Sequence, residues 1–340
     1  MIEILSTASL TTVQDTGRFG FLKFGVGASG AMDALALATG NVLLGNEEGA
    51  AGIEIPLFPF RVRFTQAIDF VITGADADAS LEGTPVLPAW VTHAEAGQAL
   101  VLRSPSQGVR CYLAVSGGID VPVVLGSRST QLRGAFGGLD GRPLKKGDVL
   151  PTGVAQASGA RPATSDDGAA GRPFVAFGIA PLMQSLPASA VAPPAEATDT
   201  VVRVIPAGEY TCYTPESLAM FWKQGWRVTP QSDRYGYRLD GQPLALKASV
   251  EMRSHGIVPG VIQVPPSGQP IIQLIDAQPS GGYPKVGTVI QADLWRLAQA
   301  RIGSRLRFVL ATYDEARAAL DVRDAYLAKV RRLVALHRGA

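Results

Sequence analysis

From Glu54 to Leu150 the sequence runs as short apolar segments, each closed within a few residues by turn chemistry, with almost no helical periodicity between them. The stretch Ile53 to Phe64 is interrupted by Pro56 and Pro59. Phe70-Val71-Ile72-Thr73 reads as a short strand, and Gly74 to Asp76 and Glu82-Gly83 read as turns. Val109 to Val115 is a further strand, ended by Ser116-Gly117-Gly118-Ile119-Asp120. Short strands at this spacing predict a β-barrel or sandwich. The 38 Gly and 24 Pro of the 340 residues favour many turns over a helical bundle. That length is ample for two domains, each with its own core.

The rest of the chain divides around this pattern. Ile2 and Ile4 alternate with polar neighbours as in a half-buried first strand. Ala31 to Leu44 reads as a helix with Ser29 or Gly30 near its N-cap, stopped by Gly45-Asn46. Residues 152–200 are rich in Ala, Pro, Gly, Ser and Asp and read as a linker, within which Phe174 to Phe177 can dock on a neighbour. A second β-rich region runs from Val201 to about Val309, with a short helix at Asp293 to Ala300. Ala311 to Arg338 is amphipathic, with Leu320, Tyr326, Leu327, Val330, Leu333 and Val334 on one face. The expected domains are therefore 1–151, a linker at 152–200, 201–310 and a terminal helix at 311–340.

Several functions are excluded by what the chain contains. It is 46% hydrophobic and 18% charged with net charge +2, which fits an ordered protein and no bulk attraction to nucleic acid. No apolar run approaches bilayer length and the N-terminus has no basic, apolar leader, so a soluble, cytoplasmic chain with no membrane partner is expected. Two cysteines, Cys111 and Cys212, make no disulfide framework and suit a reducing compartment. The three histidines, His93, His255 and His337, are too scattered for a zinc site, and no metal is expected. Gly25-x-Gly27-x-x-Gly30 matches a dinucleotide fingerprint, but no strand–helix alternation follows to complete the site. No Gly-Lys dipeptide, Met-Lys-Met or G-x-S-x-G occurs, so a P-loop, a resident biotin and a serine-hydrolase elbow are all missing.

The chemistry-bearing stretch is Gly268 to Gly287. A strand-like run, Pro270 to Ile275, ends on Asp276, with Gln278 two residues on. Pro279-Ser280-Gly281-Gly282 follows, then Tyr283-Pro284-Lys285 and a second apolar run at Val286 to Ile290. A strand delivering an acid into a glycine loop that carries a lysine is a common way to bind polar, planar substrates. A β-turn bearing a solvated acid and base is the alternative. Ser127-Arg128-Ser129-Thr130 offers a fork-shaped donor flanked by hydroxyls, suited to a carboxylate or to holding loop carbonyls. His255, within Arg253-Ser254-His255-Gly256, reads as a hydrogen-bonded loop histidine. The halves echo each other: Asp15-x-Gly17-Arg18 has a counterpart in Ser232-Asp233-Arg234-Tyr235-Gly236, and a strand entering a Gly-Gly loop occurs at Cys111–Gly118 and at Ile271–Gly282.

These residues carry a family resemblance. QDTGRFG, GVGASGAMD, AVSGGIDVPVVLGSRST, GGLDGRPLKKGDVLP, VTPQSDRYGYRL, GIVPGVIQVPPSGQPII and GGYPKV, covering about 1–150 and 201–310 in order, resemble the allophanate hydrolase subunit 2 family. That family includes the C subunit of the ATP-dependent 5-oxoprolinase, the antagonist of the Kip kinase inhibitor, and half of the carboxyltransferase domain of urea amidolyase. The resemblance implies a mainly β fold of two cyclophilin-like barrels. It also implies a companion, the Kip inhibitor-like subunit 1, and, for the oxoprolinase, a third chain of lactam-utilisation type. The family reads Asp-Arg-Gln-Thr-Thr-Gly-Gly-Tyr-Pro-Lys where this chain has Ala277 and Pro279 in place of the Arg and the first Thr.

The implied reaction is opening of 5-oxoproline to glutamate, with ATP held by the complex rather than by a motif in this chain. The carboxyltransferase alternative, of urea carboxylase type, brings in biotin, and a third alternative is a non-catalytic regulator that sequesters subunit 1. On this reading Asp276, Lys285 and Asp233 are the expected catalytic groups. Asp15, Arg18, Gly117, Gly118, Arg128, Ser129, Arg234, Gln278, Gly281, Gly282 and Tyr283 are expected to bind substrate, with glycine-loop N–H groups steadying an oxyanion.

Overall fold

The computed structural model describes residues 1–155, 177–180 and 199–338. Most of the expected 152–200 linker, Phe174 included, therefore lies outside the described residues. The described chain is mainly β, with four α-helices: α1 (Ala34–Leu44), α2 (Pro215–Lys223), α3 (Leu294–Gln299) and α4 (Tyr313–Arg338). It divides into two units that interleave in sequence. Met1–Gly17, Ala34–Leu186 and Asp324–Ala340 form the first, and Arg18–Asp33 with Pro187–Arg323 the second.

The first unit is built from eleven described strands: β1 (Ile2–Ser6), β2 (Thr12–Gln14), β3 (Gly52–Ile55), β4 (Phe60–Phe64), β5 (Ile68–Gly74) and β6 (Ala79–Leu81) begin it. β7 (Thr84–Val86), β8 (Thr92–Ala94), β9 (Ala99–Leu102), β10 (Cys111–Val115) and β11 (Val149–Leu150) complete it. They form two sheets, ordered β11-β1-β4-β9-β6-β7 and β2-β3-β10-β5-β8, rather than one closed barrel. In β4, Phe60, Val62 and Phe64 are buried while Arg61 and Arg63 are exposed, the period-two pattern of a sheet with one wet face. All five residues of β10 are buried, because its outer face is covered as well. The cover is α1, whose residues are buried on nearly every side and whose Gly40 would place a Cβ 3.1 Å from that of Ala114. The last turns of α4 add Val330 and Val334 to this apolar layer, with half-buried Phe177 packed against it.

Two helix boundaries differ from expectation. α1 begins at Ala34, not Ala31, because Ser29 (φ 52°) and Gly30 (φ 108°) take left-handed backbone and cannot open a right-handed helix. α2 lies in a region read as strand. Thr214 caps it by accepting from the Ser217 N–H, with Pro215 and Glu216 in the first turn, so its start signals were present in the sequence.

The second unit centres on a closed seven-stranded barrel. Its described strands are β12 (Thr200–Pro206), β13 (Trp226–Val228), β14 (Gly236–Asp240), β15 (His255–Gly256), β16 (Val261–Gln263), β17 (Ile271–Gln273), β18 (Ser280–Gly281), β19 (Lys285–Val289) and β20 (Arg305–Leu310). The barrel runs β12-β19-β16-β17-β14-β13-β20 and closes through the parallel pair β20–β12. Val202, Val204, Trp226, Val228, Ile262, Ile272, Val286, Leu306 and Phe308 fill its core together with Phe221 of α2. β15 and β18 stand outside the barrel as a two-stranded ribbon.

Candidate functional site

The expected site residues fall into three groups, one in the first unit and two in the second. In the first unit Asp15 is buried. Its carboxylate accepts from the hydroxyls of Ser127 (2.7 Å) and Ser129 (2.5 Å) and from the N–H groups of Gly17 (2.7 Å) and Arg128 (2.6 Å). A carboxylate with this many donors is a knot tying two loops together, with little capacity left for a substrate. The Arg128 guanidinium donates to the Val121 carbonyl (3.0 Å) and to Asp120 (2.8 Å), so the structural alternative for this Arg is the one observed.

Gly117 and Gly118 do not form the expected oxyanion cradle. The Gly117 N–H donates to the Asn46 side chain (2.9 Å) and the Gly118 N–H to the Val115 carbonyl (2.9 Å), so both donors are spent within the fold. Both have positive φ, and a Cβ on Gly117 would lie 2.2 Å from the Gly153 carbonyl oxygen. These glycines serve a turn and a close backbone approach.

The second group is the pair Arg234 and Asp276, together with the segment 18–33 that carries Arg18. The end of β17 delivers Asp276 into a buried position where Arg234 Nε donates to it at 2.7 Å and Nη2 at 3.3 Å. Arg234 Nη2 also donates to the Gly30 carbonyl at 2.6 Å. The segment 18–33 is bound here a second time by the Ser29 N–H on the Ile275 carbonyl (3.2 Å), and Gly27 passes so near Ala277 that a Cβ would sit 2.9 Å from its carbonyl oxygen. Arg18 is buried, its N–H bonded to the Ala28 carbonyl. Asp276 is thus a fully engaged ion-pair partner, and a free base it is not. Asp233 is exposed and accepts from the N–H groups of Tyr235 and Gly236, which makes it the acid of a tight turn.

The third group surrounds Lys285, at the start of β19. Its side chain is buried, and its Nζ lies 2.5 Å from His255 Nε2 and 3.3 Å from the Tyr283 carbonyl. Burial holds the amine below the ordinary lysine range, and the nearby Glu209 carboxylate, which accepts from the Lys285 backbone N–H at 3.2 Å, offsets this only in part. Gly281 lies in the ribbon opposite His255, while Gly282 is half-buried and Gln278 and Tyr283 are exposed. The sequence marks His255 only as a hydrogen-bonded loop histidine, and Gln263 and Gln273 were passed over. The signal was there: Val261-Ile262-Gln263-Val264 and Ile271-Ile272-Gln273-Leu274 each set a glutamine in an apolar strand, and the two amides bond at 3.0 Å.

A separate cavity of about 540 Å³ on this unit is lined by Arg227, Thr229, Arg238, Pro265 and Pro270 among others, and none of the expected site residues lines it.

Residues 24–310 match the family model described as carboxyltransferase domain, subdomain A and B. The chain belongs to this family. It is 40% identical over 334 residues to the C subunit of 5-oxoprolinase from Haemophilus influenzae, covering 98% of this chain and 99% of that one. It is 39% identical to the C subunit of 5-oxoprolinase from Escherichia coli, covering 96% of each. Among solved structures, the K. lactis urea amidolyase superposes with a TM-score of 0.82 at 26% identity over 97% of this chain and 20% of that one. The mainly β fold and the resemblance read from the motifs thus stand in this member of the carboxyltransferase family.

Proposed function

We propose that the chain is the C subunit of an ATP-dependent 5-oxoprolinase, a hydrolase complex that opens 5-oxoproline to glutamate. The observation that carries this reading is the end-to-end match to two proteins named as the C subunit of 5-oxoprolinase, each covered over at least 96% of its length. ATP is held by the complex, with subunit 1 and a lactam-utilisation-type chain as partners. Within this chain the reacting region is the Lys285 group. Lys285 is the buried amine that meets substrate, and exposed Gln278 and Tyr283 stand near it in sequence to contact substrate or a companion chain. Arg234 and Asp276 hold the strand end that shapes this region, and the Asp15–Ser127–Ser129 knot has the same kind of scaffolding role in the other unit.

Co-expression with both companions tests this. The three chains should elute together and release glutamate with ATP turnover, whereas this chain alone should do neither. Separate elution at micromolar concentration, or robust ATPase activity from the single chain, overturns it. The second reading, a biotin-dependent carboxyltransferase, is favoured by the family model and the likeness to urea amidolyase. Carboxyl transfer from carboxybiotin to urea by the complex would select it.

A further inference from the structure

Four residues of the second unit form a square of two register pairs. On the barrel wall Gln263 of β16 pairs with Lys285 of β19, and in the ribbon His255 of β15 pairs with Gly281 of β18. The pairs meet at both ends. Lys285 Nζ lies 2.5 Å from His255 Nε2, and a Cβ added to Gly281 would stand 2.4 Å from Gln263 Nε2. Only glycine fits at 281 with the amide in this place.

The bonding of each polar atom is constrained. His255 Nδ1 lies 3.1 Å from the Arg253 carbonyl, which only accepts, so Nδ1 carries the hydrogen and Nε2 presents its lone pair to the lysine. The titratable groups around Lys285 are His255, Glu209 and Tyr213. Tyr213 donates its hydroxyl to the Pro284 carbonyl at 3.2 Å, and burial pushes its phenol up, so it stays neutral. Glu209 engages the Lys285 backbone rather than its amine. Among the described residues Nζ meets an imidazole nitrogen and a carbonyl, with no carboxylate in ion-pair contact. Gln263 is buried, its oxygen accepts from Gln273, and its Nε2 has no hydrogen-bond partner among the described residues. A buried donor left unmet is costly, and an arriving oxygen would recover that cost.

We propose that Lys285, as the neutral amine, takes the proton of a substrate amide N–H, that Gln263 donates its spare N–H to the carbonyl oxygen of the same amide, and that His255 relays the proton to solvent. The substrate class is an amide with N–H and C=O on one side, of which a lactam fits the reading above, because a trans secondary amide turns the two to opposite sides. The proposal rests on the lactam-opening reading above and names the residues that would act in it. The Lys285 lone pair forms the new N–H bond, and the electron pair of the broken substrate N–H bond delocalises onto the amide oxygen, which Gln263 steadies. That oxygen is then the nucleophile for the phosphoryl group of ATP. The Lys285 ammonium passes a proton to His255 Nε2, and the exposed imidazolium gives it up to water. Lys285 and Gln263 touch the reacting amide, while His255 acts through Lys285.

The full chain labelled with [13Cε]lysine tests the dyad without any activity, its Lys285 resonance assigned from a Lys285→Arg variant. Lys285 should titrate below the ordinary lysine range. His255→Gln, which removes the imidazole in contact with Nζ, should move the Lys285 curve. Lys285 titrating with the exposed lysines, or an unchanged curve in His255→Gln, overturns the dyad. In the assembled enzyme, Gln263→Leu should lower kcat/KM at least tenfold, and His255→Gln should move the acid limb of its pH profile. An active assembly in which neither variant changes these readouts overturns the inference and leaves the oxoprolinase reading intact. A wild-type assembly that opens no lactam overturns the oxoprolinase reading, while the lysine titration still decides the dyad.

Discussion

Arg234 and Asp276 form a two-bond ion pair, 2.7 and 3.3 Å, in which both side chains are almost wholly buried. The same guanidinium holds the Gly30 carbonyl at 2.6 Å, so one charge pair fixes both a strand end and a segment 204 residues away in sequence.

Asp276→Asn is expected to act on stability. Removing one partner of a buried pair leaves an uncompensated charge and costs about 3–5 kcal/mol. Chemical denaturation of the full chain checks it, and Arg234→Met combined with Asp276→Leu should recover much of the loss. A midpoint within error of wild type for Asp276→Asn would mean the pair holds nothing.

Lys285→Met should abolish activity of the assembled enzyme without lowering the melting temperature at pH 7. The folded state holds this amine below its unfolded value, so the ammonium is a burden on stability at low pH. That burden lifts as pH rises from the folded pKa toward the unfolded value of about 10.4. The stability advantage of the variant should therefore shrink as pH rises. An advantage that grows with pH contradicts the assignment.

Acid sensitivity has a separate source in the first unit. Burial alone would raise the Asp148 carboxyl, but two bonds from Arg142 (2.7 and 2.9 Å) and one from the Lys145 N–H (2.8 Å) outweigh it and hold the group below the usual aspartate range. Its contribution is present above the unfolded value of about 3.9 and is lost as pH falls through the lower folded value. Asp148→Asn should therefore destabilise at pH 7 and give a shallower fall in unfolding midpoint from pH 5 to 2. A parallel fall in both proteins would remove Asp148 as the source.

Gly117→Ala tests whether that loop is scaffold. Left-handed backbone costs about 1–2 kcal/mol for a non-glycine residue. The clash with Gly153 adds about 1–3 kcal/mol of overpacking, because carbonyl backbone cannot swing aside. Thermal unfolding measures it, and a neutral result would mean that the turn tolerates a side chain.

The elements legible in sequence were those whose own residues decide them. Phe60 to Phe64 alternates, Val109 to Val115 is continuously apolar, and the last helix repeats its apolar face every three to four residues. α2 was legible too, through Thr214, Pro215 and Glu216, but the strand-rich surroundings outweighed the cap. The Lys285 site was half legible. Lys285 drew notice as a charge among glycines, whereas His255 was read only as a loop histidine, since the ribbon it stands in has strands of two residues and no period to read. Gly117 misled for the opposite reason: its donor goes to Asn46, 71 residues away, and no local pattern reports such a partner.

The interleaving of the two units has a consequence in time. Asp33 receives its bond from Gln299, 266 residues further along the chain. At a synthesis rate of about 5–20 residues per second, residues 18–33 wait on the order of tens of seconds on the ribosome before their partners exist. Phe19, Leu22 and Phe24, still exposed in the finished fold, spend that interval on a nascent chain whose own barrel is unmade. Newborn chains of this protein therefore present a sticky N-terminal stretch to the cell well before they present a site.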